Sequence, residues 1–325
     1  MPMKIALFGT GHWHAEMHLD AARAAGAAVT GVWDEDPTQA ARFGERHGVP
    51  AVAAIADVLA LAPDLIVLMG HPSTLPDHAR LLIAAGIPLI LEKPAASTTA
   101  VIAELAQLAS RHGSFVGVPL PNRFGPVFDA FQQLKEEGRA GKLGHASFRL
   151  VNGPPERYRQ DGVGWLLDPT IGGGGALRNL GIHGVDAVLS LAQGLVTLVS
   201  ASIGNRVHAE AVDDHALLVM TDATGTLFTV EAGYTYASMA PGGEFEWRLV
   251  TANATLVDRG DSASCITLDD AGTRLLSSEP TATRYRLFMA DTLERLRDGR
   301  PPAITLDNYL AAMTLIDAAY AKAES

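Results

Sequence analysis

The chain has 325 residues, 48% of them hydrophobic and 19% charged, which suits two domains of ordinary size and excludes gross disorder. Its formal charge is −11 and its 25 Lys and Arg form no run or stripe, so neither nucleic acid nor an anionic membrane surface is expected as the main partner. The lone cysteine, Cys265, excludes an internal disulfide framework and a multi-cysteine zinc site, and it reads as a buried structural thiol.

The apolar run after Met1-Pro2-Met3-Lys4 is too short for a signal segment and reads as a first strand. No window approaches ~18 uninterrupted apolar residues, so no membrane span is expected and the chain is read as cytoplasmic. Lys4–Phe8, Ala28–Trp33, Leu65–Met69, Pro88–Leu91 and Phe115–Val118 are dense in Ile, Leu and Val, as strands buried on both faces are. Between them His14–Ala25, Thr38–His47, Leu75–Ala85 and Thr98–His112 carry apolar residues at helical spacing, with Gly26, Gly48, Gly86 and Gly113 as stops. This alternation predicts an α/β Rossmann domain, a doubly wound parallel sheet, over residues 1–121. Val127–Glu137 then reads as a helix and Ala146–Val151 as a strand. Further on, Val196–Ile203, His215–Thr221, Thr226–Ala232 and Phe245–Thr251 repeat between Gly, Asn and Asp turns. With closing helices over Ala282–Asp298 and Asp307–Ala323, residues 122–325 are expected to form an α+β domain with a large, mainly antiparallel open sheet. That domain is expected to bind substrate and to pair subunits.

Gly9-Thr10-Gly11-His12-Trp13-His14 follows the first predicted strand. A dinucleotide site needs Gly at the first two positions, for the tight turn and for close approach of the backbone to the pyrophosphate. Gly9 and Gly11 meet this; His14 stands where the third glycine belongs, and Ala15 can do its packing job if the turn is one residue longer. Gly9, Gly11, His12 and Trp13 are therefore cofactor candidates. Asp34 closes the second strand, 23 residues after Gly11, where a carboxylate accepts from ribose hydroxyls and repels a 2′-phosphate. Glu35 and Asp36, not Arg or Lys, follow it, which favours NAD over NADP. His14 and His18 are four apart on one helix face, a metal-pair spacing, but no third ligand is evident and no metal is expected.

Glu92-Lys93-Pro94 ends the fourth strand, outside the carboxyl ends of the sheet. Lys93 there is either a solvated strand end or a lysine whose pKa falls by roughly 2–3 units so that it works as acid or base. Further on, Trp165 leads through Asp168 to the tract Gly172–Gly175, then to Arg178, Asn179, Gly181, His183 and Asp186. Four successive glycines cost roughly 2–4 kcal/mol relative to alanine and mark backbone that must pass close to something. His183 could relay a proton and Asp186 hold a hydroxyl; alternatively Asn179 is a helix N-cap and His183–Asp186 a local polar pair.

Taken in order, Gly9-x-Gly11, Asp34, Glu92-Lys93-Pro94, Asn122-Arg123-Phe124, Trp165 to Gly175, Gly181-x-His183-x-x-Asp186 and Asp298-Gly299-Arg300-Pro301-Pro302 resemble the Gfo/Idh/MocA oxidoreductases nearly end to end. The resemblance implies Glu92 and Lys93 at the cofactor, Lys93 also at the substrate, His183 as acid/base and Asp186 on a sugar or polyol hydroxyl. It implies a third catalytic position at Asn179, where the family commonly has Asp, so the charge that would stabilise a protonated His183 is missing. The expected activity is hydride transfer between a nicotinamide and the hydroxyl-bearing carbon of a sugar, polyol or similar small hydroxylated substrate. Two alternatives are NAD-dependent glycoside cleavage and a cofactor-binding regulator without turnover. Arg157, Tyr158, Trp165, Tyr234 and Tyr236 are candidates for specificity, and a homodimer or homotetramer through the open sheet face is the family habit.

Overall fold

The computed structural model describes residues 1–270, 272–278 and 280–323. In chain order the elements are β1 (Lys4–Phe8), α1 (Ala15–Ala24), β2 (Ala28–Trp33), α2 (Pro37–His47), α3 (Ile55–Ala60), β3 (Leu65–Leu68), α4 (Leu75–Ala84), β4 (Leu89–Leu91), α5 (Thr99–His112) and β5 (Val116–Gly117). There follow α6 (Pro126–Glu136), β6 (Leu143–Asn152), α7 (Pro155–Gln160), α8 (Ile182–Leu191), β7 (Thr197–Gly204), β8 (His215–Thr221), β9 (Leu227–Gly233) and β10 (Gly243–Thr251). The last are β11 (Ala254–Asp258), β12 (Ala263–Thr267), β13 (Thr273–Leu276), α9 (Thr281–Arg297) and α10 (Leu306–Ala323).

The first unit comprises Met1–Pro119 and Ala282–Leu310. Its sheet runs β2-β1-β3-β4-β5, all parallel, as the continuous apolar runs require. Ile5 to Phe8, Leu65 to Leu68 and Leu89 to Leu91 are all fully buried. The strand order reverses between β1 and β3, the position at which open α/β sheets hold their ligands at the carboxyl ends. A division at 121 alone would place α9 in the second domain; instead Ala282–Leu310 packs with the Rossmann sheet, where Val118 N–H donates to Ile304 O at 3.0 Å.

The second unit comprises Leu120–Thr281 and Ala311–Ser325. Its eight strands run β13-β12-β11-β10-β6-β9-β8-β7. Every pair is antiparallel except β6 with β9, so the sheet is mixed and mainly antiparallel. Ala146 and Phe148 of β6 and Phe228, Val230 and Ala232 of β9 point to the face that α8 covers. Cys265 is buried in β12.

Candidate active site

In the first unit the turn after β1 is tight. Gly9 has φ +80°, and a β-carbon on it would collide with the Met69 carbonyl, so no other residue fits. Its N–H donates to Trp33 O at 2.8 Å, joining the turn to the end of β2. Gly11 is exposed, and its N–H donates to Asp34 Oδ2 at 2.8 Å; Asp36 N–H holds Oδ1 at 2.9 Å. The half-buried carboxylate is thus fixed beside bare backbone and keeps lone pairs for further donors. An exposed glycine, an oriented carboxylate and the start of α1 at one strand end suit the ribose and pyrophosphate of a dinucleotide. His14 needs no glycine geometry, with φ −91° and ψ −2° before α1, while Ala15, 1% exposed, takes the helix-packing role. His12 stacks on Trp13, their centroids 3.9 Å apart.

At the end of β4, Glu92 is 1% exposed and lies inside the protein. Its Oε2 accepts from His18 Nε2 at 2.7 Å and lies 3.4 Å from His14 Nδ1; its Oε1 accepts the Lys93 backbone N–H at 2.9 Å. Tyr285, from α9, has its hydroxyl 2.9 Å from His14 Nδ1. Burial alone would raise the Glu92 carboxyl, but the facing His14 and His18 outweigh it and hold the group well below the usual carboxylate range. Burial lowers His14 and, more strongly, His12. Lys93 is 4% exposed, and burial, opposed by Glu92, brings its ammonium down to about 8. The Lys93–Pro94 bond is cis. A solvated strand end would show neither the burial nor the depressed pKa.

In the second unit the glycine tract passes close to Asp213. A β-carbon on Gly175 would overlap the Asp213 backbone, and Asp213 Oδ1 and Oδ2 accept from Gly175 N at 2.7 Å and Leu177 N at 2.8 Å. Tyr320 of α10 donates to the same carboxylate at 2.6 Å, and Arg178 pairs with Asp317. The tract then enters a π-helical turn, Leu177–Gly181, before α8. Asn179 therefore lies inside helix and caps nothing. Its Nδ2 donates to Tyr234 Oη at 3.0 Å. Tyr234 is fully buried, its ring tilted against that of Tyr158 with centroids 4.7 Å apart, over Leu167, Ala176 and Leu180. Burial pushes the Tyr234 phenol well above its ordinary value, so it stays a neutral hydroxyl. His183, 8% exposed, lies in the first turn of α8, and π-helical turns of this kind are frequent at functional sites. Asp186 is 1% exposed and both of its oxygens are taken by Arg123, at 2.7 and 2.5 Å. Burial raises its carboxyl against the pull of Arg123. The hydroxyl-holding carboxylate read from the sequence is thus committed to a bidentate ion pair. Trp165 is half-buried in the short turn Gly164–Leu167.

Residues 3–119 match the NAD-binding Rossmann fold of the Gfo/Idh/MocA oxidoreductases, and residues 128–257 match that family's C-terminal domain. The chain belongs to the Gfo/Idh/MocA oxidoreductase family. Its relatives include an inositol 2-dehydrogenase of Acidothermus cellulolyticus, 29% identical over 65% of this chain and 61% of that protein. Another is the D-glucoside 3-dehydrogenase of Escherichia coli K12, 27% identical over 58% of this chain and 53% of that one. The chain spans about half the length of several curated relatives it matches. Among solved structures, a levoglucosan dehydrogenase in complex with NADH and levoglucosan superposes over 100% of this chain and 98% of that one, with TM-score 0.86 and 16% identity.

Within this Gfo/Idh/MocA chain, three partners escaped the sequence reading: Tyr285, Asp213 and the pairing of Arg123 with Asp186. Each lies more than 30 residues from what it contacts, and no local spacing marks it. Tyr158 and Tyr234, nominated for specificity, are core residues around Asn179, while Tyr236 is 37% exposed and Arg157 donates to Gly242 O at 3.0 Å. Among the described residues no group of three or more His, Cys, Asp or Glu could hold a metal ion, and no helix is long and apolar enough to cross a membrane.

Proposed function

We propose that the protein is an NAD-linked dehydrogenase acting on the CH–OH carbon of a sugar, polyol or related small hydroxylated compound. The observation that carries this reading is Lys93, a buried lysine at the carboxyl end of β4 whose ammonium is brought down to about 8. A group with that pKa can take the hydroxyl proton as substrate is oxidised, or return it in reduction. When bound, the nicotinamide supplies the hydride acceptor. Gly9 and Gly11 leave the backbone bare for the pyrophosphate, His12 and Trp13 border it, and Asp34 accepts from ribose hydroxyls, disfavouring a 2′-phosphate. The sugar and polyol dehydrogenases among the relatives support the substrate class.

His183 serves as the second acid/base group. Asn179 assists without charge: it anchors the π-helical turn to Tyr234. Asp186 contributes through its pair with Arg123, which rigidifies the first turns of α8, and Trp165 offers an apolar wall for the substrate ring. Lys93 and His183 are the acid/base groups of this reading. Calorimetry with NAD and NADP, beside a screen of sugars and polyols for reduced-nicotinamide absorbance, tests it. Tighter NAD binding with turnover supports the assignment. Equal affinity for NADP refutes the role given to Asp34, and loss of no more activity in the Lys93→Ala/His183→Ala double variant than in an inert single refutes the catalytic pair.

A further inference from the structure

The cluster behind Lys93 is larger than the cofactor turn needs. A carboxylate that is 1% exposed meets two imidazoles and a phenol, from α1 and from α9, which is far away in sequence. The rings of His14 and His18 both meet the Tyr285 ring edge to face, at 5.3 and 5.1 Å. The His14 backbone N–H also donates to His12 Nδ1 at 3.1 Å, which ties the turn into the same cluster. The titratable groups facing Glu92 are thus His12 from the turn, His14 and His18 from α1, Tyr285 from α9 and Lys93 at its own strand end; Arg284, buried, precedes Tyr285 on α9. Below the site, Tyr309 Oη accepts the Ala95 N–H at 3.4 Å, so the segment after Lys93 is held as well.

We propose that His14, His18 and Tyr285 are positioning residues that fix an ionised Glu92 against the Lys93 backbone, and that the charge of this buried cluster sets the proton affinity of Lys93. A lysine withdrawn from water loses its proton readily unless a negative charge is near. Glu92 is that charge, and it is bound to the Lys93 backbone N–H by a 2.9 Å hydrogen bond, so it cannot drift away. How much of its field Lys93 feels depends on the histidines. A neutral His14 leaves that charge in place; a proton on His14 offsets it. The Tyr285 hydroxyl lies 2.9 Å from His14 Nδ1, the nitrogen 3.4 Å from Glu92 Oε2; donating there, it would hold that nitrogen unprotonated. His14 in place of the third glycine is what makes this connection available.

The proposal rests on Lys93 as the proton-handling group, and its test reads the lysine itself rather than turnover. The chain has five lysines, Lys4, Lys93, Lys135, Lys142 and Lys322, so carbon-13 labelling of lysine Cε yields a spectrum of five signals. Lys93 is assigned by its loss in Lys93→Gln, and its shift is followed against pH in the whole protein, with and without NAD. Wild type is expected to titrate at about 8. Glu92→Gln should move the midpoint down by about one pH unit or more, as removal of an adjacent opposite charge does. Tyr285→Phe, which keeps the ring contacts, should move it in the same direction by less. A merely structural cluster would lower Tm and leave the midpoint in place. A Lys93 midpoint at the ordinary lysine value, or one unchanged in both variants, overturns the proposal. If Glu92→Gln does not fold, Tyr285→Phe decides alone. Failure to find a substrate refutes the dehydrogenase reading and leaves this titration as it stands.

Discussion

Lys93 and His183 are buried to nearly the same degree, 4% and 8% exposed, yet their surroundings differ in kind. Lys93 ends a strand above an ionised carboxylate held by two imidazoles, so its proton affinity is a contest between burial and charge. His183 lies in a helix whose preceding π-helical turn is tied down by a neutral amide on a neutral phenol, Asn179 on Tyr234. The nearest charge on the same helix, Asp186, is matched oxygen for oxygen by Arg123. One unit surrounds its candidate group with charge, the other with neutral hydrogen bonds and a closed ion pair. On the proposed function, an amide at 179 in place of the family's common carboxylate leaves Lys93 the larger share of the proton handling.

The sharpest way to break this comparison is at its charged side. Lys93→Ala should cut kcat by about 10²- to 10⁴-fold while leaving NAD affinity near that of wild type. Steady-state kinetics and calorimetry check the two halves. For the oxidation direction, activity should rise with pH through about 8, because the base form of Lys93 is the one below which protonation removes activity. At the other side, Arg123→Met orphans a carboxylate that is 1% exposed, at a cost of about 3–5 kcal/mol. The sign with pH is fixed. Asp186 has a raised folded pKa, so its buried charge penalises the fold at neutral pH, and acid, by protonating it, should restore part of the variant's stability. Denaturant melts at neutral and mildly acidic pH measure this. Asn179→Asp should put charge beside His183 and shift the acid limb of kcat/KM upward by about one pH unit; an unmoved limb denies His183 its titrating role. The smallest effect is expected at Asp34→Ala, about tenfold weaker NAD binding with little change for NADP, the scale of one charge-assisted hydrogen bond.

The parallel half of the fold was legible because buried strands are written as unbroken apolar runs: β1 and β2 fall on the residues expected, and β3 to β5 lie within one or two. Several short helices and strands were not, and the reasons differ among three of them. Ile55–Ala60 spans under two turns, too short for a period to show. Pro155–Gln160 carries four polar residues in six and no apolar stripe, and Thr273–Leu276 lies at one edge of its sheet. Among the candidate residues, Gly9, Gly11 and Asp34 follow from what a strand end presents to a dinucleotide. The roles proposed for Lys93 and His183 come from the family resemblance, since the residues alone also allow a solvated strand end and a local polar pair. Their partners were not readable. Tyr285 reaches His14 across 271 positions, and nothing in the pattern of α9 distinguishes that tyrosine from a core residue. Gly172–Gly175 announced a close approach, but only the fold shows that Asp213 is what it approaches.

The central claim is that Lys93 carries the proton chemistry of an NAD-linked dehydrogenase. Its most direct test is to mix wild type and Lys93→Ala with NAD and a panel of sugars and polyols and to follow the absorbance of reduced nicotinamide across pH. The account predicts that wild type reduces NAD with at least one member of the panel, faster as pH passes about 8, and that Lys93→Ala binds NAD but does not reduce it. Wild-type rates in Lys93→Ala, or NAD bound by wild type with no reduction under any substrate, would contradict it.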